Sequence, residues 1–253
     1  MIVLYHYYLC SSSRFVRLVL EEYKIKYISQ LENYWRPQKE FLLLNPAGHL
    51  PVLVNEDSYP IVGANSCIEY FKQLNLKPNL FYESYKDITE FYRLYHWFDV
   101  LFRKEVLDPI LYEKVYSRIV DNITPNSGNI RDALQNLDFH LRYFDHLIKN
   151  KNWFVGDNLT YADLIASANL SILDYLGLLE FGNYQFLKEW YLKNKSRPAF
   201  QTLLKDQIVG LTSHENYRLI DVVDKGNYFS ALPDDIDKNI ETYFNNYKKK
   251  FSI

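Results

Sequence analysis

A short run near the N-terminus carries the residue types that nucleophilic chemistry needs. Cys10 is followed by three serines, Ser11 to Ser13, between a predicted strand and a predicted helix. Backbone N–H groups and the positive end of a helix dipole stabilise a thiolate in such a position. Two interpretations stay open for Cys10: a reactive thiol, or a small apolar side chain at the sheet edge, with the serines capping the helix. The preceding His6 and Tyr7 are predicted to be packing residues.

A second run, residues 45–51, places a Gly-containing turn and a proline directly before an apolar strand. Proline at a strand start after such a turn favours a cis bond between Leu50 and Pro51. The main-chain N–H and C=O of Leu50 then face outward, unpaired within the sheet. An extended peptide ligand can pair with them as an added short strand. We therefore expect a peptide-binding edge at Leu50.

The elements that must position these residues form a small α/β unit. Hydrophobic patterning predicts strands at 2–7, 26–31, 52–54 and 59–62. It predicts helices at 11–24, 37–44 and from Asn65 or Ser66 to about Leu74. Ser66 and Glu69 match a capping box at the start of the last helix, so helix capping is an alternative role for Asn65 and Ser66. Residues 75–85 are predicted to be a linker.

From about residue 86 the pattern changes to helices only. Apolar residues at i, i+3 and i+4 spacing predict a long antiparallel pair of helices. Thr160 and Asp163 match a second capping box, and the helix after them is apolar nearly all round, which predicts a central buried helix. A further helix around Trp190 ends or restarts at Pro198. The residues of the predicted pair are Phe91, Leu94, Tyr95, Phe98, Leu101, Phe102 and Val106 on one side, and Ile130, Leu134, Leu137, Leu141, Phe144 and Ile148 on the other.

The C-terminal segment, residues 222–253, has a sequence pattern of its own. Periodicity is weak up to Leu232 and returns after Pro233. Acidic residues begin this last stretch and three lysines end it, which suits the helix dipole. We predict an amphipathic helix that docks on the protein. Its apolar stripe is Ile236, Ile240, Tyr243, Phe244, Tyr247 and Phe251.

Composition excludes several classes of partner and site. The 253 residues are 48% hydrophobic with a formal net charge of −2, both signs interspersed. No field of one sign therefore favours nucleic acid or an anionic membrane. Cys10 and Cys67 are too few for a disulfide framework or a metal site, which fits a reducing compartment. We predict a globular cytoplasmic protein with no metal and no membrane-spanning segment.

The motif Asn-Pro-x-Gly-x-x-Pro-x-Leu at 45–53, about fifteen residues before a Ser at a helix start, resembles the N-terminal domain of glutathione S-transferases. The resemblance implies a fold of two parts, an α/β thioredoxin-like domain (1–78) and an all-α helical bundle domain (86–221), followed by the extension at 222–253. It also implies a glutathione-type site. The residues that it places there are Cys10 at the glutathione sulfur with Ser11 beside it, His49 at the glycyl carboxylate, Leu50 and Pro51 at the peptide main chain, Asn65 at the amine and Ser66 at the γ-glutamyl carboxylate.

Two of these positions depart from the family pattern. Asn65 stands where the family usually has an acid, and an amide lacks the charge that pairs with an amine. His49 stands where a cation often meets the glycyl carboxylate, and a neutral imidazole is a weaker substitute.

Motifs in the helical half resemble the FzlA-like proteins of alphaproteobacteria, a glutathione-transferase-fold group. This resemblance implies a homodimer that binds the tubulin-like division protein FtsZ and has no established glutathione chemistry. Trp35, Arg36 and Asp221 are its partner-binding candidates. An exposed Trp35 is a typical interface anchor, although a tryptophan folded onto the second strand is an equal alternative. The motifs are 94–99, 102–106, 174–177, 195–200, 203–206 and 217–221, together with Trp35-Arg36-Pro37.

Taken together, these patterns lead us to expect a cell-division adaptor that binds FtsZ filaments and requires no cofactor. The alternative is a glutathione-dependent transferase or thiol transferase that uses Cys10.

Overall fold

The structure is a computed structural model that describes residues 1–82 and 84–219. Asp221 and the predicted helix after Pro233 lie outside the described residues. The first half is the predicted α/β unit, and its sheet has the strand order β2-β1-β3-β4. Strand β1 pairs parallel to β2 and antiparallel to β3, which pairs antiparallel to β4. The elements of this half are β1 (Ile2–His6), α1 (Ser11–Glu22), β2 (Tyr27–Leu31), α2 (Lys39–Leu44), β3 (Val52–Val54), β4 (Pro60–Val62) and α3 (Gly63–Gln73).

All elements in the second half are helical, as predicted, apart from one isolated bridge between Ile208 and Leu211. None of the described helices is both long and apolar enough to cross a membrane. The elements are α4 (Tyr85–His96), a π-helical stretch (Trp97–Leu107), α5 (Asp108–Leu111), a second π-helical stretch (Tyr112–Tyr116), α6 (Ser117–Ile119), α7 (Ser127–Ile148), α8 (Tyr161–Tyr175), α9 (Gln185–Lys195), a 3₁₀ turn (Pro198–Phe200), α10 (Gln201–Leu204) and a last 3₁₀ turn (Glu215–Arg218).

The predicted antiparallel pair consists of α4 with its π-helical continuation and α7. Arg93 donates a hydrogen bond to the Tyr143 hydroxyl, near the C-terminal end of α7. Further along the first helix, Asn136 Nδ2 donates to the Glu105 carbonyl at 3.1 Å. Contacts therefore move toward the start of α7 as they move along its partner, which confirms the antiparallel arrangement.

Helix α8 is the central buried helix that the sequence predicts. Every residue of α8 except Asp174 is buried. The predicted capping box is present, since the Thr160 and Asp163 side chains each bond to the backbone of the other's position. Asp163 also accepts hydrogen bonds from Phe154 N and Trp190 Nε1, both at 2.9 Å. One carboxylate thus fixes the start of α8 and two neighbouring segments.

The predicted capping box at Ser66 and Glu69 is wrong. Helix α3 begins at Gly63, directly after β4, so Ser66 lies inside its first turn and does not cap it. Gly63 has φ +82, and its N–H donates to the Pro51 carbonyl at 2.8 Å. Glycine reaches this left-handed conformation without steric cost, which lets the chain pass from strand to helix earlier than the capping signal suggests.

A buried polar network joins the two halves through α1. We call it the seam, and it consists of Arg14, Arg17, Asp206 and Tyr217. Arg17 binds Asp206 with two hydrogen bonds, at 2.8 and 2.7 Å. Arg14 donates to Ser171 Oγ at 2.8 Å and to Tyr217 Oη at 3.3 Å. Two charged residues of the first helix therefore bind polar groups of the helical half, with Asp206 as the one carboxylate among these partners.

Candidate functional site

The structure brings together the predicted residues at the start of α1 and before β3. Cys10 is the N-cap residue of α1, and its thiol points to the Leu50 carbonyl at 4.0 Å. The Leu50-Pro51 bond is cis, as predicted. Ser11 is buried in the first turn of α1. The Cys10 thiol and the main chain of Leu50 thus share one site.

The surroundings of Cys10 do not favour the reactive thiolate, which is one of the two interpretations of the sequence. Burial raises the pKa of the Cys10 thiol, and this effect exceeds the lowering by hydrogen bonds from Ser13 and by the charge of Arg103. The Asp99 carboxylate raises the pKa further. Because the neutral thiol is favoured, nucleophilic reactivity at Cys10 needs a change in these surroundings on binding.

Aromatic side chains form one wall beside Cys10. The Trp35 ring lies 4.8 Å from the Tyr7 ring, edge to face, and 5.4 Å from the Tyr116 ring of the helical half. Tyr34 packs against Trp35 and Tyr116, with ring centroids at 5.2 and 5.9 Å. The Tyr116 hydroxyl is buried and has no hydrogen-bond partner among the described residues. Four aromatic side chains, Tyr7, Tyr34, Trp35 and Tyr116, therefore form this wall.

Charged side chains of the helical half also lie near Cys10. Ser12 donates a hydrogen bond to Asp99 at 3.0 Å. Arg103 lies between two carboxylates, 3.8 Å from Asp99 and 3.6 Å from Asp108. We call the whole site the cleft, and it consists of Cys10, Ser12, Tyr34, Trp35, Asp99, Arg103 and Tyr116.

The sequence analysis does not place four of these residues in a site, namely Tyr34, Asp99, Arg103 and Tyr116. The i, i+4 spacing of Asp99 and Arg103 beside the buried Phe98 and Phe102 is a signal for a helix-surface ion pair. Nothing in the sequence indicates that this pair faces Cys10. Tyr116 carries no sequence signal.

The remaining glutathione-type residues lie at the edges of the site. His49 is exposed, and its carbonyl accepts a hydrogen bond from Asn45 Nδ2 at 2.8 Å. No described residue bonds to its imidazole. Asn65 and Ser66 are exposed on α3, and Asn65 lines a surface groove with Asp99. The described residues contain no group of three His, Cys, Asp or Glu side chains that could hold a metal.

Trp35 matches neither interpretation fully. It is half-buried, and it packs across the boundary between the two halves rather than onto the second strand alone. Arg36, next to it, is exposed. A partly exposed aromatic ring and an exposed guanidinium therefore lie at the mouth of the cleft.

Comparisons with known proteins agree with this architecture. The family "Glutathione S-transferase, N-terminal domain" matches residues 9–74, and "Glutathione S-transferase, C-terminal domain" matches residues 129–207. FtsZ-localized protein A of Caulobacter vibrioides is 33% identical over 221 residues, which cover 86% of this chain and 97% of that protein. Glutathione S-transferase 2 of Saccharomyces cerevisiae is 26% identical over 186 residues, covering 68% of this chain and 76% of that protein.

Solved structures give the same result. The structure of FzlA from C. crescentus is 33% identical and matches with a TM-score of 0.84, covering 87% of this chain and 99% of that one. A glutathione S-transferase from Rhodospirillum rubrum F11 is 36% identical, with a TM-score of 0.83 and coverage of 87% and 100%. This chain therefore belongs to the glutathione S-transferase superfamily, and FzlA is among its relatives.

Proposed function

We propose that this protein is a cell-division adaptor that binds FtsZ filaments in the cytoplasm without ordinary glutathione transferase activity. The observation that carries the proposal is its 33% identity to FtsZ-localized protein A over 97% of that protein. The match extends over nearly the whole of that protein, so it is not confined to one of the two family domains. A shared binding role is therefore favoured over a shared fold alone.

The chemistry of the cleft supports the same proposal. Burial raises the pKa of Cys10, which disfavours the thiolate. Asn65 supplies no charge for an amine, and Asn65 and Ser66 are both exposed rather than enclosed. A tight site for glutathione needs buried, charged partners for its termini. No cofactor is required for binding a filament.

The mouth of the cleft offers a surface for a protein partner. Trp35 is partly exposed, Tyr34 beside it is 37% exposed, and Arg36 is exposed. Tryptophan, tyrosine and arginine are the residues most enriched at interface hot spots. Asp221 stays a candidate from the sequence, outside the described residues.

Co-sedimentation with FtsZ polymerised in GTP tests this proposal. The wild-type protein is expected in the pellet with the filaments, and Trp35→Ala is expected to bind at least about tenfold more weakly, as at an interface hot spot. Tyr59→Ala is the matched control, because Tyr59 is 68% exposed on the turn between β3 and β4. Absence of the wild-type protein from the pellet would contradict the adaptor role. Equal losses for Trp35→Ala and Tyr59→Ala would remove Trp35 from the binding surface.

We further propose that the protein is a homodimer. A surface groove of about 340 Å³ lies between α3 and α4, and its lining includes Tyr92 and Val100. These two side chains are 42% and 46% exposed. Sedimentation velocity is expected to show a dimer for the wild type and a monomer for Val100→Asp, with Tyr59→Asp as the control. A wild-type monomer at micromolar concentration would contradict this.

The second candidate function is a glutathione-dependent transferase or thiol transferase. The proximity of Cys10 to the Leu50 carbonyl favours it, since a peptide thiol paired to Leu50 would lie beside Cys10. Calorimetric titration with glutathione and alkylation by iodoacetamide at pH 6.5 test it, with Cys10→Ser as the control. We expect no micromolar binding and alkylation of Cys10 slower than that of free cysteine. Tight binding together with fast alkylation would favour the enzyme.

A further inference from the structure

An exposed apolar surface lies at the end of the helical half where the described chain ends. We call it the end face, and it consists of Ile119, Ile123, Val209 and Leu219. Their side chains are 47%, 55%, 95% and 49% exposed, respectively. Scattered exposed apolar residues are normal on proteins, but these four come from neighbouring segments. We therefore expect a partner to cover this surface.

Contacts between the segments place these residues together. The Ile119 side chain lies 4.0 Å from the position of a Cβ on Gly210, the neighbour of Val209. Ile123 follows a turn in which its N–H donates to the Ser117 carbonyl at 2.7 Å. At the other side, Arg218 shares a recess of about 380 Å³ with Gln207, two residues before Val209. The last described residue, Leu219, therefore lies at the end face.

Exposed charges of both signs lie in the segments of the end face. Arg118, Lys205 and Arg218 are exposed and make no ion pair within the described residues, and Asp121 and Glu215 are exposed in the same segments. The neighbouring Asp206 is already bound by Arg17 in the seam. A ligand for this surface should therefore combine an apolar stripe with charged flanks of both signs.

The C-terminal segment of the same chain has this combination. The sequence predicts a helix over 234–251 with an apolar stripe along one face. Asp237 and Glu241 fall beside that stripe at helical spacing, as do Lys248 and Lys250 nearer its other end, and Asp234 and Asp235 precede it. We propose that residues 234–251 dock as a helix on the end face of their own chain.

The length of the intervening chain allows this docking. Residues 220–232 connect Leu219 to Pro233 and span up to roughly 45 Å when extended. The predicted helix is roughly 27 Å long, so it can reach any part of the end face. Because the segment is tethered, its effective concentration at the end face is in the millimolar range, on the order of that for short flexible linkers. Docking in the same chain is therefore favoured over capture of a separate molecule.

Hydrogen–deuterium exchange on full-length variants tests the proposal. The stripe variant carries Ile240→Asp and Phe244→Asp, and the control variant carries Thr242→Asp and Asn245→Asp on the opposite face of the predicted helix. We expect amides in 117–123 and 207–219 to exchange about tenfold faster in the stripe variant than in the wild type. The control variant adds the same charge and is expected to exchange like the wild type.

A reciprocal variant tests the other side of the contact. Val209→Asp with Ile123→Asp changes two exposed residues, so it is expected to fold normally. Trypsin cleavage at Lys248 to Lys250 should become faster in this variant, to the rate seen in the stripe variant. Unchanged exchange in the stripe variant would overturn the proposal. Faster exchange only at α3 and α4, or protection that disappears on dilution, would also overturn it, because the helix would then dock elsewhere or on a second copy.

Discussion

The seam and the cleft are both contacts between the two halves of the molecule, but their polar groups differ in exposure to water. In the seam, Arg14 and Tyr217 are fully buried and Asp206 is 4% exposed. In the cleft, the side chains of Arg103 and Asp99 are 41% and 22% exposed. The same types of charged residue are thus desolvated in one contact and left in reach of water in the other.

The partners differ as well. Asp206 meets Arg17 with paired hydrogen bonds in fork geometry, whereas Arg103 lies 3.6 Å or more from either of its carboxylates. A buried ion pair with this geometry is costly to break, while a half-exposed one contributes little. The seam therefore holds the two halves together, and the cleft keeps side chains available for a ligand or partner.

The strongest test of this comparison is an Asp-to-Asn substitution made once in the seam and once in the cleft. Asp206→Asn leaves two buried guanidinium groups without their carboxylate and is expected to lower the free energy of unfolding by about 3–5 kcal/mol. Asp99→Asn, the matched change in the cleft, is expected to cost less than about 1 kcal/mol. Urea denaturation followed by circular dichroism measures both. Equal costs would show that the seam and the cleft do not differ in this way.

Acid should also weaken the seam side. His6 is buried near Arg17, and burial first, then the Arg17 charge, lowers its pKa to about 3. The unfolded chain takes up a proton below about pH 6.5, whereas the folded chain keeps His6 neutral. Stability from this group is therefore complete above pH 6.5 and is lost as the pH falls toward 3.

The size of this effect can be isolated with one variant. The His6 contribution has a slope of up to about 1.4 kcal/mol per pH unit below pH 6.5. His6→Gln does not titrate and can still bond to Ser29 Oγ, which lies 2.6 Å from His6 Nε2. The difference in unfolding free energy between wild type and variant should shrink from pH 6.5 to 4.5. A constant difference would mean that His6 is protonated in the folded protein.

Removal of one hydroxyl gives a smaller test. Tyr217 Oη accepts from Arg14 and donates to the Leu203 carbonyl at 3.0 Å. Tyr217→Phe removes both bonds and leaves the Leu203 carbonyl with the Asp206 N–H as its remaining donor, so we expect a loss of about 1 kcal/mol. Tyr34→Phe, at a ring that is 37% exposed in the cleft, is expected to cost under about 0.5 kcal/mol. A larger loss for Tyr34→Phe would contradict the open character of the cleft.

The sequence predicts the fold better than either contact. Alternating and helical spacings reflect burial within one element, and each element predicted before residue 219 appears close to its predicted range. Arg14 and Arg17 look like surface residues of α1 in that pattern. They are buried because Asp206 and Tyr217, about 190 to 200 positions later, cover them, and no local spacing contains that information.

The cleft was predicted only on one side. Cys10, Leu50 and Pro51 lie in turns that can be recognised from the sequence. In the structure the Cys10 thiol points to the Leu50 carbonyl. The facing residues, Asp99 and Arg103, lie on a π-helical stretch of the helical half. Helical spacing does predict the inner face of this stretch, since Phe98, Phe102 and Val106 are buried, but it does not show which part of the first half Asp99 and Arg103 meet.

The last comparison concerns Ser12, whose side chain is hydrogen-bonded across the two halves in the cleft. Its hydroxyl donates to Asp99 at 3.0 Å. Ser12→Ala is expected to cost about 0.5–1 kcal/mol, because water can replace the lost donor at a partly exposed carboxylate. Ser171→Ala in the helical half removes an acceptor of the buried Arg14, where water has no access, and is expected to cost about twice as much. Thermal or urea unfolding of the two variants gives the ratio. If Ser12→Ala is the more costly change, the bond to Asp99 holds the halves together as the seam does, and the cleft cannot open for a partner without a comparable loss of stability.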